Sequence, residues 1–597
     1  VYQQHQMSER ATPEQLLERF GLQAFRPGQR EAVQAALDGR DSLVVMPTGG
    51  GKSLCYQLPA LAGEALVVVV SPLIALMADQ HKRLEQAGVN AAMLASGMEE
   101  GHNAQALRSI SSGEAQLVLA APERFASGAF RNTLATRKVG LFVVDEAHCV
   151  AEWGHDFRPD YLRLHSAIES LGRPAVMAAT ATATPRVAEE IAMRLGLRNW
   201  VGVRSGFDRP NLTFDVVGLE GKGAVARKRA TLLYALSREE ARPAIVYCGT
   251  RKNTEEVAAL LTEQRLKVVC YHAGMAAEAR RASQEAFMSG RAEVVVATNA
   301  FGMGVDKADV RTVVHWAVPT SLEAYYQEAG RGGRDGQPGR ALLLASRMDL
   351  GRLIRFIKER DTSVEDVKLY VARLRSRAEN GIATIGHGEL DAAAGERERV
   401  LLSIAERAGA VELQPGGPDG LLARLTGTGS PRKAYEAIKE ARNRGWDSYR
   451  SIEQFISSAN TCRRRQILDH FGDREQCAPE VRCCDVCEPD MALVEASRQA
   501  APVARKARGV RSTVSANGGG EEIALDPAQE SQFEKLKAWR LGRSEGKPAY
   551  TVAANAALEG ALLAKPASLE ELIEVKGIGP TFCERHGESL LEVLAEF

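Results

Sequence analysis

Ser42-Leu-Val-Val-Met-Pro-Thr-Gly-Gly-Gly-Lys-Ser53 decides how this chain is read. Its apolar opening predicts a buried strand, its glycines a loop, and the residues after Ser53 continue with helical spacing. Strand, glycine-rich loop and helix in that order make a phosphate cradle, because the N–H groups at a helix N-terminus attract anions. With Pro47-Thr48 leading in, Gly49, Gly50 and Gly51 would let those N–H groups face phosphates without Cβ clashes. Lys52 would reach the β- and γ-phosphates, and the Ser53 hydroxyl would ligate Mg²⁺. The strict form of this motif begins with glycine where this chain has Met46. On these residues alone, a plain glycine-rich turn after a strand stays open.

Working outward, Leu141-Phe-Val-Val144 predicts a second buried strand, and it ends in Asp145-Glu146-Ala147-His148. An acidic pair at a strand end would give Mg²⁺ a second contact through Asp145 and orient or deprotonate a water through Glu146. The bland alternative, an exposed helix cap, fits poorly about 90 residues after a Gly-Lys-Ser loop. The third element is Tyr325-Tyr-Gln-Glu-Ala-Gly-Arg-Gly-Gly-Arg-Asp-Gly336, which brings Gln327, Arg331 and Arg334 into one segment. Arginines reaching a γ-phosphate across a closing cleft stabilise transition-state charge, worth about 10³ to 10⁵ in rate in other nucleotide hydrolases. Together the three elements imply ATP hydrolysis with Mg²⁺.

From residue 12 to about 345, short β-branched runs alternate with helical patterns. The expected strands are Ser42–Met46, Ala65–Val70, Leu117–Ala120, Leu141–Val144 and Ala175–Ala179, then Ala244–Tyr247, Val268–Tyr271, Glu293–Ala297, Val310–His315 and Ala341–Ala345. Continuous apolar strands between helices predict parallel sheets covered on both faces. A break near Val203 to Asn211 divides them into two lobes. At 597 residues, 45% hydrophobic and 25% charged, the chain needs several cores and has ordinary globular composition. The apolar stretch Ala65 to Ala78 contains Ser71-Pro72 and falls short of the roughly 20 residues a membrane span requires. No secretory leader or membrane is expected, and Val1 to Gln6 precede Met7, which reads as a natural start. Lysine plus arginine (76) balances aspartate plus glutamate (76). A nucleic-acid partner would therefore need a local basic track rather than global charge.

Of ten cysteines, five fall within 26 residues: Cys462, Cys477, Cys483, Cys484 and Cys487. The spacing Cys484-x2-Cys487 is that of a Zn²⁺ knuckle, with Cys462 a distant ligand at a helix start. Cys462, Cys477, Cys484 and Cys487 are the expected ligands, with Cys483 a buried or spare thiol that stays open as a replacement for Cys477 or Cys484. A disulfide or purely packing role is the alternative, and the remaining scattered cysteines imply a reducing, cytoplasmic setting.

These segments resemble the RecQ helicase family in order and spacing: Phe20-Gly21, Phe25-Arg26, Gln29, the loop 46–53, SPLIALMADQ (71–80), DEAHC (145–149), TATAT (180–184), FDRPNL (207–212), YHAGM (271–275), ATNAFGMGVDK (297–307) and QEAGRGGRDG (327–336). Most discriminating is Cys149-Val-Ala-Glu-Trp-Gly-His-Asp-Phe-Arg-Pro-Asp-Tyr161, which looks like the aromatic-rich loop such helicases carry after the DEAH box. The resemblance implies two tandem RecA-like parallel-sheet lobes, a multidomain α/β chain, and 3′→5′ unwinding of duplex or branched DNA in repair and recombination. It implies that Gln29 reads the adenine, with Phe25 and Arg26 also among the nucleotide-binding residues. Trp153, with Phe157 and Arg158, would contact single-stranded DNA, and His155 would couple that contact to hydrolysis. Stacking of this kind is sequence-tolerant, as a translocating motor requires. Single-strand-binding protein and other repair factors are the partners it suggests, with nucleoid association if the source is bacterial. One departure is Arg331-Gly-Gly-Arg334, where the family usually has Arg-Ala-Gly-Arg; little cost is expected. A DEAD/DEAH-type RNA remodeller and a DNA-binding scaffold with weak ATPase are the alternatives.

The expected organisation is a 1–11 extension, a first lobe at 12–205 and a second at 206–348. A helical segment follows at 349–441, then a zinc-binding region at 442–491, a flexible basic linker at 492–525, and a small helical bundle resembling an HRDC domain at 526–597. Within the helical segment, helices Val364–Ala378, Gly388–Ala394 and Arg397–Ala408 precede a hairpin at 410–425, the recipe of a winged helix. A helical spacer with an incidental hairpin is the alternative. In the last bundle, Lys576-Gly-Ile-Gly579 could offer amides to a phosphate or serve simply as a helix turn.

Overall fold

The computed structural model describes residues 11–498, apart from 48, 64, 73, 96, 97, 99, 100, 152–160, 162, 222, 303–306, 387, 388, 390–395 and 415–419, together with 527–543, 552, 553, 555–573, 575, 578 and 582–596. Residues 1–504 and 505–597 are two separate compact units.

The first lobe is a seven-stranded parallel sheet in the order β3-β4-β2-β5-β6-β1-β7. Its strands are β1 (Ser42–Val45), β2 (Leu66–Val70), β3 (Ala91–Leu94), β4 (Leu117–Ala120), β5 (Val139–Asp145), β6 (Ala175–Thr180) and β7 (Val201–Arg204). β1, β2 and β4 are buried along their whole length, as continuous apolar runs between helical layers should be. In register, Val45 faces Thr180 and Asp145 faces Ala179. The carboxyl ends of β1, β5 and β6 therefore finish side by side, and the loops leaving them share one edge, where parallel sheets bind ligands.

The second lobe is a six-stranded parallel sheet, β10-β11-β9-β12-β13-β8. It is built from β8 (Leu212–Gly218), β9 (Ala244–Tyr247), β10 (Val268–Tyr271), β11 (Val294–Ala297), β12 (Thr312–His315) and β13 (Gly339–Ala345). Between β12 and β13 lie the helix Leu322–Ala329, capped by Ser321, and the turn that carries Arg331 and Arg334. The ten anticipated strands are all present; β3, β7 and β8 were not anticipated.

Downstream, helices Val364–Ser376 and Glu396–Arg407 pack on an antiparallel sheet of three strands, β14 (Ile382–Gly386), β15 (Val411–Gln414) and β16 (Gly420–Leu425), with β16 central. Val371, Leu374, Ile385, Leu402, Leu421 and Ala423 form its own core. β14 is an addition to the expected elements. The expected helix Gly388–Ala394, except Glu389, and the hairpin tip 415–419 lie outside the described residues. The 27-residue helix Pro431–Ser457 then leads to the helix Arg463–His470.

The linker expected from residue 492 begins instead with a helix, Met491–Arg498. Leu493 is buried with Leu232 and Leu236 of the helix Ala224–Leu236, and Asp490 Oδ1 accepts the Leu493 N–H at 3.1 Å. One apolar residue and one cap thus dock a segment that reads as polar. The rest of that linker lies outside the described residues. In the second unit, helices Pro527–Gly542, Asn555–Ala564, Leu569–Ile573 and Glu588–Ala595 enclose Leu536, Leu558, Leu562, Leu572 and Leu590. Lys576, Gly577 and Gly579 lie outside the described residues. Among those described, no helix is long and apolar enough to cross a membrane.

Candidate functional site

A cleft of about 480 Å³ opens where the loops of the first lobe meet the turn of the second. Its walls include Arg26, Gln29, Gly49, Gly51, Lys52, Ser53, Asp145 and Glu146 from one lobe, and Gln327, Arg331 and Arg334 from the other. A Cβ added at Gly49 would lie 3.7 Å from Arg334 Cγ, so the second arginine closes directly over the glycine loop.

The loop is held from beneath by Gln29. Its Nε2 donates to the carbonyls of Gly50 (3.2 Å) and Gly51 (3.1 Å), and its Oε1 accepts the Arg26 N–H at 2.8 Å. Gly51 has φ +78°, and a Cβ there would collide with the Gln29 amide, so glycine is required twice over. Arg26 donates to the Gly49 carbonyl. Lys52 Nζ donates to the Met46 carbonyl at 3.1 Å. Gln80 donates to Ser53 Oγ (3.2 Å) and accepts from Tyr56 Oη (3.2 Å), which fixes the hydroxyl's direction.

Asp145 is buried at the end of β5, with Ser71 Oγ 3.5 Å from its Oδ2. Burial and the adjacent Glu146 carboxylate push its carboxyl well above the usual carboxylate range, against the pull of Lys52. Asp145, with the half-buried Glu146 carboxylate beside it and the Ser53 hydroxyl in the same cleft, offers hard oxygen donors of the kind that suit Mg²⁺. Glu146 has φ +49°, a left-handed conformation rare outside glycine, of the strained kind found at functional sites. Its Oε2 lies 3.4 Å from His148 Nδ1, and that nitrogen lies 3.0 Å from Thr180 Oγ1 at the end of β6. The DEAH and TATAT segments are thus joined by one imidazole.

A second cluster lies after the helix start at Cys462. Sulfur atoms of Cys462, Cys483, Cys484 and Cys487 all lie within 4.8 Å of one another. A tetrahedral Zn²⁺ with bonds of about 2.3 Å holds its sulfurs about 3.8 Å apart. Cys462 Sγ is 3.5 Å from that of Cys483 and 3.9 Å from that of Cys484, so the set fits zinc. Cys483, left open in the sequence as a replacement for Cys477 or Cys484, stands with the other three sulfurs, and the expected ligand Cys477 is not in the group. The backbone explains the exchange. Phe214 N donates to the Cys483 carbonyl (3.2 Å) and Thr213 Oγ1 to that of Arg482 (2.6 Å), pinning 482–485 along β8. Next to Cys477, Ala478 N is tied instead to Asp208 Oδ2 at 3.0 Å.

The family models agree with this layout: a DEAD/DEAH box helicase model matches residues 26–191, a helicase conserved C-terminal domain 227–336, a RecQ zinc-binding model 426–488 and an HRDC domain 529–594. The chain is 41% identical over 358 residues to the ATP-dependent DNA helicase RecQ of Bacillus subtilis, covering 60% of this chain and 59% of that one. It is 40% identical over 341 residues to that of Haemophilus influenzae, covering 57% and 54%. To the probable ATP-dependent DNA helicase RecS of Bacillus subtilis it is 32% identical over 479 residues, covering 80% of this chain and 92% of that protein.

The chain belongs to the RecQ helicase family. The match spans little more than half the length of the two RecQ relatives.

Of the residues read as a RecQ-type site, the cleft gathers the loop, both carboxylates, Gln327 and both arginines. Gly50 stands behind it through its carbonyl, and Phe25 packs into the core of the first lobe. Thr48 and the whole of Trp153, His155, Phe157 and Arg158 lie outside the described residues. Residue-level reading gave no role to Gln80, Ser71 or Thr180, although each stands in a segment that carried the family resemblance. For Ser71 and Thr180 a polar side chain at the carboxyl end of an apolar strand was the available signal; Gln80 lies inside the helix Ile74–Gln86 and had none.

Proposed function

We propose that the chain is an ATP-driven DNA helicase motor that moves 3′→5′ along single-stranded DNA and opens duplex or branched DNA. What supports this most is that one cleft holds Lys52, Ser53, Asp145 and Glu146 opposite Gln327, Arg331 and Arg334 of the other lobe. In this reading Lys52 and the loop amides hold the β- and γ-phosphates. Ser53 and Asp145 would hold Mg²⁺, which when bound would neutralise phosphate charge. Glu146 orients the attacking water and takes its proton as the bond to the γ-phosphorus forms and the bridging oxygen leaves with ADP. Arg331 and Arg334 stabilise charge on the phosphoryl group, and Gln327 lines their approach. Because the two halves of the site belong to different lobes, hydrolysis requires closure, and closure is the motion a translocating motor needs. Phe25, Arg26 and Gln29 form the base side, and Trp153, His155, Phe157 and Arg158 the DNA-coupled loop. Single-strand-binding protein and nucleoid association are the corresponding expectations for partner and place.

We further infer that residues 362–441 are a winged helix set upstream of the zinc region. The order helix, strand, helix, hairpin around a separate apolar core supports it. A hairpin pressed on the terminal base pair could act as a wedge, since opening one step costs on the order of 1.4 kcal/mol of stacking. ATP turnover measured with single-stranded DNA, with RNA and with no polymer tests the motor: stimulation by DNA is expected. Stimulation by RNA alone would favour a remodeller, and DNA binding without turnover a scaffold. Shortening the hairpin by removing Gln414 to Gly420 should leave DNA-stimulated turnover intact and cut unwinding of a forked duplex severely. Full unwinding by that variant would make this segment a spacer.

A further inference from the structure

The segment Phe207-Asp-Arg-Pro-Asn-Leu212 joins the two lobes and contributes nothing to the walls of the cleft. Its arginine has an unusual set of partners. Arg209 Nη1 donates to the Gly330 carbonyl at 3.0 Å, and Nη2 to those of Gly332 (2.8 Å) and Gly333 (3.2 Å). No carboxylate pairs with it among the described residues. Gly330 caps the helix Leu322–Ala329, where a helix leaves its last C=O groups without internal partners and partially negative. Gly332 and Gly333 follow in the turn, and the Gly333 carbonyl is shared with Asn211 Nδ2 and the Gly336 N–H. The three carbonyls also bracket Arg331 and immediately precede Arg334. Arg209 therefore holds, by three bonds from one planar group, the turn on which both cleft arginines stand.

Arg209 is itself fixed from behind. Its carbonyl accepts from Arg464 Nη1 at 2.8 Å, the neighbouring Asp208 pairs with the same guanidinium, and Arg464 Nη2 donates to the Leu212 carbonyl at 2.6 Å. Arg464 is fully buried in the helix that follows Cys462. The brace thus runs from the cysteine region, through the segment between the lobes, to the turn over the nucleotide loop.

We propose that Arg209 is a positioning residue for phosphoryl transfer, setting Arg331 and Arg334 through their backbone, with Arg464 as its backing. This rests on the ATP-hydrolase reading above. The geometry asks for arginine: a guanidinium spreads its donors over a plane and meets three carbonyls at once, whereas an ammonium is a point charge on a flexible stem. A misplacement of about 1 Å at a catalytic group costs on the order of 10²-fold in rate. Binding of the ground-state nucleotide, held mainly by the first lobe, should not change.

The test uses the full chain carrying Arg209→Lys and, separately, Arg209→Gln. For both, kcat with single-stranded DNA should fall on the order of 10²-fold, with KM for ATP within about threefold of the parent, the ground-state interactions being untouched. Affinity for ADP–aluminium fluoride, which mimics the phosphoryl group in transfer, should fall with kcat, while affinity for ADP stays. A kcat close to that of the parent in both variants overturns the proposal. So does a parallel loss of ADP and ADP–aluminium fluoride binding, or an Arg209→Lys chain that does not fold, since either would make Arg209 a structural strut alone. A parent chain that fails to hydrolyse ATP with DNA would instead sink the function reading, so the two failures are distinct.

Discussion

In the first lobe, the hydrogen bonds that shape its side of the site among the described residues stay within that lobe: Gln29 on the Gly50 and Gly51 carbonyls, Lys52 on Met46, Ser71 near Asp145, His148 on Thr180. In the second lobe, the turn with the arginines depends on residues from outside it. Arg209 and Asn211 hold its carbonyls, and Tyr326 Oη donates to the Phe207 carbonyl at 2.8 Å. Phe207 in turn stacks on Phe471 of the cysteine region, rings 4.4 Å apart and parallel within 2°. His470 pairs with Glu323 at 2.7 Å; burial would raise that carboxyl, but the hydrogen bond and charge of His470 hold it down at about 2. One half of the site carries its own support and the other borrows it. Damage to the cysteine region should therefore reach the arginines and spare the phosphate loop.

The self-supporting half is tested by removing its cation. Lys52→Ala should lower ATP turnover at least on the order of 10³-fold, because nothing replaces a charge aimed at the transferring phosphate. Melting temperature, zinc content and DNA binding should stay at the parent's values, since among the described residues the hydrogen bond of Lys52 is to Met46 at the start of its own loop. Phosphate release near the parent rate would remove this cleft as the site of hydrolysis.

The borrowed half is tested at its source. Cys483→Ser should lose the bound zinc, measured by elemental analysis as a fall from one ion per chain toward none. Melting should drop by about 5–10 °C, as expected when several kcal/mol are lost from a unit of this size. Cys477→Ser should keep its zinc. If the two variants exchanged behaviours, the metal would be held by the set read from spacing and not by the four sulfurs that cluster here.

This contrast also marks how much was legible in the sequence. The glycine loop, the DEAH strand end and the arginine turn are local patterns, and each was readable because the chemistry sits within a dozen residues. β3 was missed because Ala91-Ala-Met-Leu94 has no β-branched residue, and β8 because Asp215 interrupts its apolar run. That aspartate is fully buried and answered by Arg340 at 2.7 Å and by Arg482, residues 125 and 267 positions away. No local pattern can announce such a pairing. The choice between Cys477 and Cys483 stayed open in the sequence for the same reason, since the place of Cys483 is set by β8. The brace through Arg209 was in plain view as a motif, but its partners are 121 to 124 residues downstream.

The smallest effects should come from the turn itself, where two adjacent glycines are unlike. Gly333 has φ +55°, and a Cβ there would meet Asn211 Nδ2 at 2.5 Å and the Gln337 carbonyl at 2.6 Å. That amide is one of the bonds holding the turn, at 2.7 Å to the Gly333 carbonyl. Gly333→Ala should therefore cost about 1–2 kcal/mol for the left-handed backbone alone, and lower kcat on the order of 10-fold or more as the turn shifts. Gly332 has no such backbone demand, and its nearest neighbour would be a methyl of Leu212 at 3.3 Å, the end of a side chain that needs to give only a few tenths of an ångström. Against that strain stands the entropy an alanine removes from the unfolded chain, worth about 0.4–1 kcal/mol at a compatible position. Gly332→Ala, which restores the residue usual in the family, should leave melting unchanged or slightly raised and turnover within about twofold, since no bond to the turn is lost. A Gly332→Ala chain as impaired as Gly333→Ala would mean that the carbonyls, and not the left-handed glycine, set the tolerance of the turn, and that the support from Arg209 is tighter than its three bond lengths suggest.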